Sequence, residues 1–499
     1  MDQLYDVAII GGGINGCGAA ADAALRGLSV ILIEKDDLAS KTSSSSSKLI
    51  HGGLRYLEHY DFALVKKALD ERQLLLDLAP YLVHPLPIVL PYRREMRPSW
   101  LLRTGFFFYD NLSRKNELPK SKLIRRSASP NYFSPLNASY KKGFLFYDCK
   151  TDDSRLTIAN ALQAKENGAL ILTNTELVET KVQDNYWQLK IQPKSGRQQW
   201  INARSIVNAS GPWVESVNKL LNINTKYKMS LVKGSHIVVN KLYEGDFAYL
   251  LQNQDQRIIF IVPYQGHTMI GTTDVAYNGS LDEIAISQEE IRYLFELVSS
   301  YFSKQLMPKN IINSWSGVRP LIAAENEKLS AISRDYNVHY NTAPAPVVTI
   351  YGGKITTYRQ SSLEAINQLS QLFPGLMASQ SAHIPLPGST LKDWNYESYL
   401  YHAREKYFWL TETLRERYLA NYGTRTELLL NNCSCIEDLG QDFGNGLYRI
   451  EIDFLQREEW ATTCEDILWR RTKLGLEFPR ENLIHLAKYL VHNPIHETS

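Results

Sequence analysis

Tyr5-Asp-Val-Ala-Ile-Ile10 runs directly into Gly11-Gly12-Gly13-Ile14-Asn15-Gly16, followed by an Ala-rich stretch to Leu25, then Gly27, then a second apolar run from Leu28 to Ile33 that ends in Glu34. The first run is short, apolar and β-branched, which predicts a buried strand; the Ala-rich stretch predicts a helix that Gly27 stops, and the second run another buried strand. G-x-G-x-x-G therefore stands where dinucleotide binding requires it, between a strand and a helix. Gly11 makes the tight turn, Gly13 lets the backbone approach a pyrophosphate, and Gly16 lets the helix pack closely on the strand. The first helical turn offers unpaired amides and the positive end of its dipole to the phosphates. Glu34 is placed to accept hydrogen bonds from the adenosine ribose, and its charge disfavours a 2′-phosphate. The expected fold class is α/β, with a Rossmann-type domain at the N-terminus.

Two later units extend this reading. Ser205-Ile-Val-Asn-Ala-Ser210-Gly211-Pro212-Trp213 is a buried strand ending in a glycine turn, and Val347-Val-Thr-Ile-Tyr351-Gly352-Gly353-Lys354 repeats the design before a helix expected from about Thr356 to Leu372. A second helix N-terminus with Lys354 beside it suits the anionic N1–C2=O edge of a reduced flavin, a feature that nicotinamide enzymes do not need. The expected cofactor is FAD. The sequence has no second strand-linked glycine fingerprint, no C-x-x-C pair and no iron–sulfur spacing, so electrons reaching the flavin are expected to leave to an external acceptor.

The chain has 499 residues, enough for two or three domains. Its 44% hydrophobic and 22% charged residues are ordinary globular values and exclude a disordered or fibrous protein. No run approaches the roughly 18 apolar residues of a spanning helix and no signal-peptide core follows Met1, so folding in the cytoplasm is expected. Five scattered cysteines give no disulfide framework, and Cys433-Ser-Cys435 without a second pair gives no metal site. The net charge of +2 hides an asymmetry: residues 93–126 carry ten basic and three acidic side chains, +7 in all, which leaves −5 for the rest. Within that segment Arg97, Trp100, Leu101, Leu102, Arg103, Phe106 and Phe107 mix cations with apolar side chains. That composition suits the headgroup boundary of an anionic membrane, with Trp, Leu and Phe sinking into the acyl edge. No nucleic-acid-binding motif accompanies the basic run.

The glycine unit, Thr42-Ser43-Ser-Ser-Ser-Ser47-Lys48-Leu-Ile-His51-Gly-Gly-Leu-Arg55-Tyr56, Lys233-Gly-Ser-His236, Ile270-Gly-Thr-Thr-Asp274, Ser316-Gly-Val-Arg319-Pro, Arg334-Asp-Tyr, Gly352-Gly353-Lys354-Ile-Thr-Thr-Tyr358-Arg359 and Trp469-Arg-Arg-Thr-Lys473 occur in this order. Together they resemble the aerobic, FAD-dependent glycerol-3-phosphate dehydrogenases of bacteria. The resemblance implies an FAD domain of the glutathione-reductase or D-amino-acid-oxidase type (residues 1–80, 145–225 and 330–387), a mixed-sheet substrate and membrane-facing domain (81–144 and 226–329), and a helical C-terminal domain (388–499). It further implies oxidation of sn-glycerol 3-phosphate to dihydroxyacetone phosphate, with ubiquinone or menaquinone as acceptor. The expected form is a homodimer, peripheral on the inner face of the cytoplasmic membrane.

Removing a hydride from a secondary alcohol requires a C–H aimed at the flavin, a base for the hydroxyl proton and an anchor for the rest of the substrate. A phosphate calls for a cationic anchor, and the planar fork of arginine fits it best. His51, Arg319 and Lys354 are the catalytic candidates, and the base stays unassigned among them; a crowded cation at Lys354 would have its pKa pushed down. Arg55, Tyr56 and Arg334 are the substrate-binding candidates, with His236 and Asp274 in reserve. Gly11, Gly13, Asn15, Gly16, Glu34, Thr42, Ser43, Ser47, Gly211, Gly352 and Gly353 are expected to hold FAD. The rivals are a soluble oxidase passing electrons to O₂, an amino-acid oxidase of the same fold, and a non-catalytic FAD-bound scaffold or sensor.

If Gly13 marks the backbone approach to the pyrophosphate, Gly13→Val places a branched side chain there, and the variant should purify colourless. Full flavin content by absorbance would refute the reading of the glycine unit.

Overall fold

The computed structural model describes residues 3–93, 95–253, 255, 257–322, 335–390 and 395–493. The fingerprint forms as its pattern dictates: strand Leu4–Ile10, helix Ile14–Leu25 and strand Val30–Ile33, with Gly27 in the left-handed region behind the helix. Leu4–Ile10 pairs in parallel with Val30–Ile33 on one side and with Gln199–Asn208 on the other. Among the described residues eight strands share this sheet, in the order Tyr336–Asn341, Val347–Gly352, Gln199–Asn208, Leu4–Ile10, Val30–Ile33, Leu170–Leu172, with the hairpin Thr175–Gln183 and Tyr186–Pro193 attached to Gln199–Asn208. The near-continuous apolar strands are buried on both faces, as a parallel sheet requires. Helices Ile14–Leu25, Asp153–Glu166 and Tyr358–Gln368 cover one of them through Cys17, Ala20, Ala24, Ile158, Leu162 and Ile366.

A second, ten-stranded sheet carries the long antiparallel pair Met229–Val239 and Ile311–Ile322. It is mixed, because Ala248–Gln252 runs parallel to Val83–Pro91 while its other pairings are antiparallel. Strand Lys142–Thr151, which crosses the boundary expected at residue 145, lies wholly in this sheet, and Leu49–Ile50 pairs with it. The chain returns to the first sheet's layer at helix Asp153–Glu166, capped by the side chain of Asp152.

The basic, aromatic segment forms helix Ser99–Asn111, and its 3.6-residue period divides the aromatic run. Phe106 is 2% exposed, stacked on Phe144 and tilted against Phe146 with ring centroids 5.2 Å from each, and Tyr109 is buried one turn on. Trp100 (68% exposed), Arg103 and Phe107 (63% exposed) point outward, and Phe107, Phe108, Phe62 and Tyr60 make a continuous apolar surface. The expectation that Phe106 faces a membrane is thus corrected: it belongs to the core. No helix of the described residues is long and apolar enough to cross a membrane.

The C-terminal region packs helices Tyr396–Lys406, Glu412–Tyr422, Arg449–Glu459 and Arg480–His492 around Tyr418, Tyr422, Leu447, Ile452 and Leu486. A π-helical turn, Asp466–Arg471, brings this bundle against the first domain. All five cysteines are free thiols.

Candidate active site

A cavity of about 760 Å³ opens between the two sheets. Its floor is the glycine turn. A Cβ on Gly16 would stand 1.9 Å from the carbonyl oxygen of Gly11, so the helix can begin this close to the strand only with glycine there. A Cβ on Gly13 would stand 3.0 Å from Ser43 Oγ, over the cavity's opening onto the helix. The Ile14 amide donates to Ser43 Oγ at 2.9 Å, whereas the next two amides, of Asn15 and Gly16, have no acceptor among the described residues. Unpaired first-turn amides facing a glycine-lined cleft are an anion site.

Glu34 lines the same cavity and accepts from the amides of Gly12 (2.6 Å) and Asp36 (2.8 Å). Burial pushes its carboxyl above the ordinary range, and those two amides oppose the shift. The carboxylate keeps lone pairs for ribose hydroxyls. Asn15 ties the floor to the far wall: its Nδ2 donates to Gly352 O at 3.2 Å. The serine run forms the wall toward the second sheet, where Thr42 Oγ1 donates to Val318 O at 2.8 Å. These donors, the narrow glycine floor and the length of the cleft fit FAD.

At the other end of the cavity the His51–Tyr56 turn faces Lys354. The amide of His51 reaches Thr356 Oγ1 at 3.3 Å, and its ring lies 6.2 Å from Phe260. Lys354 Nζ sits 4.0 Å above the centroid of Tyr56. Arg55 lines the cavity and has no ion pair among the described residues. Arg319 is oriented by Asp274, Nη1 to Oδ1 at 2.6 Å, and by Thr272 Oγ1 at 2.9 Å. Asp274, a reserve candidate, thus serves as the partner of Arg319.

All the other candidates named from the sequence line the cavity with these, Gly211 included, apart from three residues. Gly16 acts behind the floor, through packing. His236 lies behind the serine run, fully buried, with Nε2 3.0 Å from Ser47 Oγ and its ring stacked on Trp315. Burial, aided by Arg319 and Lys48, holds its imidazole well below the ordinary histidine range, so it stays neutral. Arg334 lies outside the described residues.

The sequence reading missed the groups that hold the His51–Tyr56 turn from behind. The Gly52 amide donates to Tyr109 Oη at 2.9 Å, and that hydroxyl donates to Asp148 at 2.7 Å. Arg72 Nη1 anchors the same carboxylate at 2.6 Å. A Cβ on Gly52 would lie 2.7 Å from the Tyr109 oxygen, which explains the glycine. Asp148 interrupts the apolar strand run Phe144-Leu-Phe-Tyr147, the only trace of this network in the sequence.

Comparison with known proteins agrees with this geometry. A family model described as FAD dependent oxidoreductase matches residues 6–359, and one described as the C-terminal domain of alpha-glycerophosphate oxidase matches residues 379–489. The chain is 46% identical to a glycerol-3-phosphate dehydrogenase of Pseudomonas aeruginosa, over 98% of this chain and 96% of the relative. It is 43% identical to a D-erythritol 1-phosphate dehydrogenase of Brucella abortus, over 94% of each. The solved structure of a glycerol-3-phosphate dehydrogenase from Bacillus halodurans, complexed with FAD, superposes with a TM-score of 0.77 at 25% identity, covering 98% of this chain and 89% of that one. FAD and the α/β fold class expected from the sequence are borne out.

Tyr109→Phe removes the hydroxyl bridge between Gly52 and Asp148 and leaves in place the ring and the direct 3.2 Å bond from the Gly52 amide to Asp148 Oδ1. The variant should retain its flavin while losing about twofold to tenfold in kcat/KM, since one hydrogen bond contributes a net of about 0.5–1.5 kcal/mol. Steady-state kinetics against flavin content decides it; unchanged kcat/KM would show that the turn holds its shape without this bond.

Proposed function

The chain belongs to the FAD-dependent oxidoreductase family, carrying the C-terminal domain type of alpha-glycerophosphate oxidase, and from that premise we propose that it oxidises sn-glycerol 3-phosphate to dihydroxyacetone phosphate, the hydride passing to FAD. The observation that carries the proposal is that Arg55, Arg319, Lys354 and His51 all line the cavity whose floor is the glycine turn. FAD supplies the two-electron acceptor; the chain's own residues supply anchoring and proton transfer. Arg55, whose guanidinium is uncommitted among the described residues, clamps the phosphate, with Arg334 assigned to the same task by resemblance. Arg319 and Lys354 polarise the substrate oxygens, and Tyr56 steadies Lys354 through its ring face. A guanidinium does not give up its proton in a protein, so Arg319 is no base. We assign the hydroxyl proton to His51, which lines the cavity and carries the side chain that most often serves as a general base.

A four-carbon polyol phosphate is the second reading, favoured by the relative from Brucella abortus. Anaerobic mixing separates the two: glycerol 3-phosphate should bleach the flavin rapidly and D-erythritol 1-phosphate slowly, and the reverse order would overturn the choice. Arg55→Ala should raise KM for the phosphate ester about tenfold, since one charge-assisted bond contributes about 1.5–3 kcal/mol, and leave turnover of unphosphorylated glycerol at its low level. Equal loss on both alcohols would make Arg55 a structural residue.

The proposed acceptor is ubiquinone or menaquinone, reached from the inner face of the cytoplasmic membrane. Support comes from the apolar lining of the cavity, to which helix Ser99–Asn111 contributes Leu101, Leu102 and Phe108 and strands contribute Leu250, Ile258 and Phe260, more apolar wall than a phosphate ester needs. Trp100 and Phe107, exposed beside Arg103, suit peripheral docking, with each cation near an anionic surface worth about 1 kcal/mol. The homodimer implied by the resemblance is consistent with the exposed Tyr401 and Phe408 of the C-terminal domain. Wild type should sediment with anionic vesicles in a partly salt-resistant way, while a Trp100→Ser, Arg103→Ser, Phe107→Ser variant should stay in the supernatant and still bleach with substrate. Equal sedimentation of both proteins would remove this helix as the anchor, and no sedimentation of wild type would favour the O₂-using oxidase.

A further inference from the structure

The C-terminal segment Trp469–Lys473 takes no part in the chemistry described above, yet it carries three cations that are buried against the first domain. Its π-helical turn presents two successive arginines to one carboxylate. Asp37 accepts from Arg470 Nε at 2.6 Å and from Arg471 Nη1 and Nη2 at 2.6 and 2.8 Å. Asp37 stands on the segment that closes over the cofactor floor, where Ala39 N donates to Gly12 O at 3.0 Å and Asp36 N donates to Glu34.

The other end of that wall is held from the same segment. Lys473 Nζ donates to Ser154 Oγ and lies 3.3 Å from Asp152 Oδ1, while Ser154 Oγ also meets Arg470 O at 3.0 Å. These contacts fasten the first turn of helix Asp153–Glu166. From that turn the Asp153 carboxylate receives the Ser46 amide (3.0 Å), the Ser46 hydroxyl (2.7 Å) and Lys48 Nζ (2.8 Å). Lys473 itself adopts φ +60, a left-handed conformation uncommon outside glycine, which persists only where surroundings impose it.

We propose that residues 469–473 form a strap that positions the wall at residues 34–48 for FAD, with Arg470, Arg471 and Lys473 acting as positioning residues through Asp37 and Asp153. None of these five side chains lines the cavity, so the action is indirect. Stability alone does not account for the arrangement, because buried ion pairs seldom stabilise a fold more than apolar packing of the same volume would; what they impose is one geometry. Leu38 fixes one end of this wall in the apolar core, whereas the serine run 43–47 has no apolar side chains with which to fix its own shape. The strap supplies the missing constraint from more than 400 residues away in sequence.

The test compares FAD binding with stability. Apoprotein of Lys473→Met, Lys473→Arg and Ser154→Ala is titrated with FAD by flavin fluorescence, and apo and holo forms are melted. Lys473→Met should raise the FAD Kd by about tenfold or more and narrow the gap between apo and holo Tm, because ligand stabilisation follows the ratio of concentration to Kd. Ser154→Ala should raise Kd several-fold, and Lys473→Arg should restore most of the affinity. An unchanged Kd in Ser154→Ala and Lys473→Met, with apo and holo Tm falling in parallel, would reduce the segment to a domain anchor and overturn the proposal. If Lys473→Met does not fold, the Kd of Ser154→Ala decides alone.

Discussion

Two unpaired amides at the start of helix Ile14–Leu25 are the constraint on which the rest of the molecule depends. First-turn amides without a protein acceptor are left to water or to a ligand in the cleft, and an anion completes them best. Keeping them open requires glycine at 11, 13 and 16, a serine wall that satisfies Ile14 and stops there, and Asn15 turned away to hold Gly352 O. Each requirement draws in a different part of the chain. The strand before the helix, the serine run and the turn after strand Val347–Gly352 meet at one point because they share this cleft.

The same cleft joins the two sheets. Thr42 reaches Val318 in the strand that also carries Arg319, and Ser47 leans on the neutral His236 of the neighbouring strand. The serine wall of the cavity is therefore continuous with the strands that carry Arg319 and His236. Arg319 owes its direction to Asp274 and Thr272, and the His51–Tyr56 turn owes its position to Tyr109, Asp148 and Arg72. Under the proposed function, an alcohol held between them would meet groups whose geometry is set before it binds, the condition under which orientation lowers a barrier most.

Helix Ser99–Asn111 has two duties on opposite faces. Its inner face supplies Phe106 to the core and Tyr109 to the support of Gly52; its outer face is apolar and cationic. One helix of 13 residues thus connects the surface patch, the apolar lining of the cavity and the His51–Tyr56 turn.

The sequence by itself determined whatever is encoded in a contiguous stretch: the strand, glycine turn, helix and acidic end of the first unit, the strand-turn-helix around Lys354, and the cluster of His51, Arg55 and Tyr56. Such units are legible because backbone geometry at each glycine and the period of each apolar run are local properties. Tertiary structure alone decided which member of Phe106-Phe107 faces inward, since two adjacent aromatic residues carry the same composition and only the direction of the core distinguishes them. It alone decided that Arg319 is held by Asp274, that Asp148 and Tyr109 stand behind Gly52, and that Arg470 and Arg471 close on Asp37. Those are contacts between charges and hydroxyls far apart along the chain, and a buried polar group leaves no periodic signature; its partner is fixed only when folding brings the two out of water together.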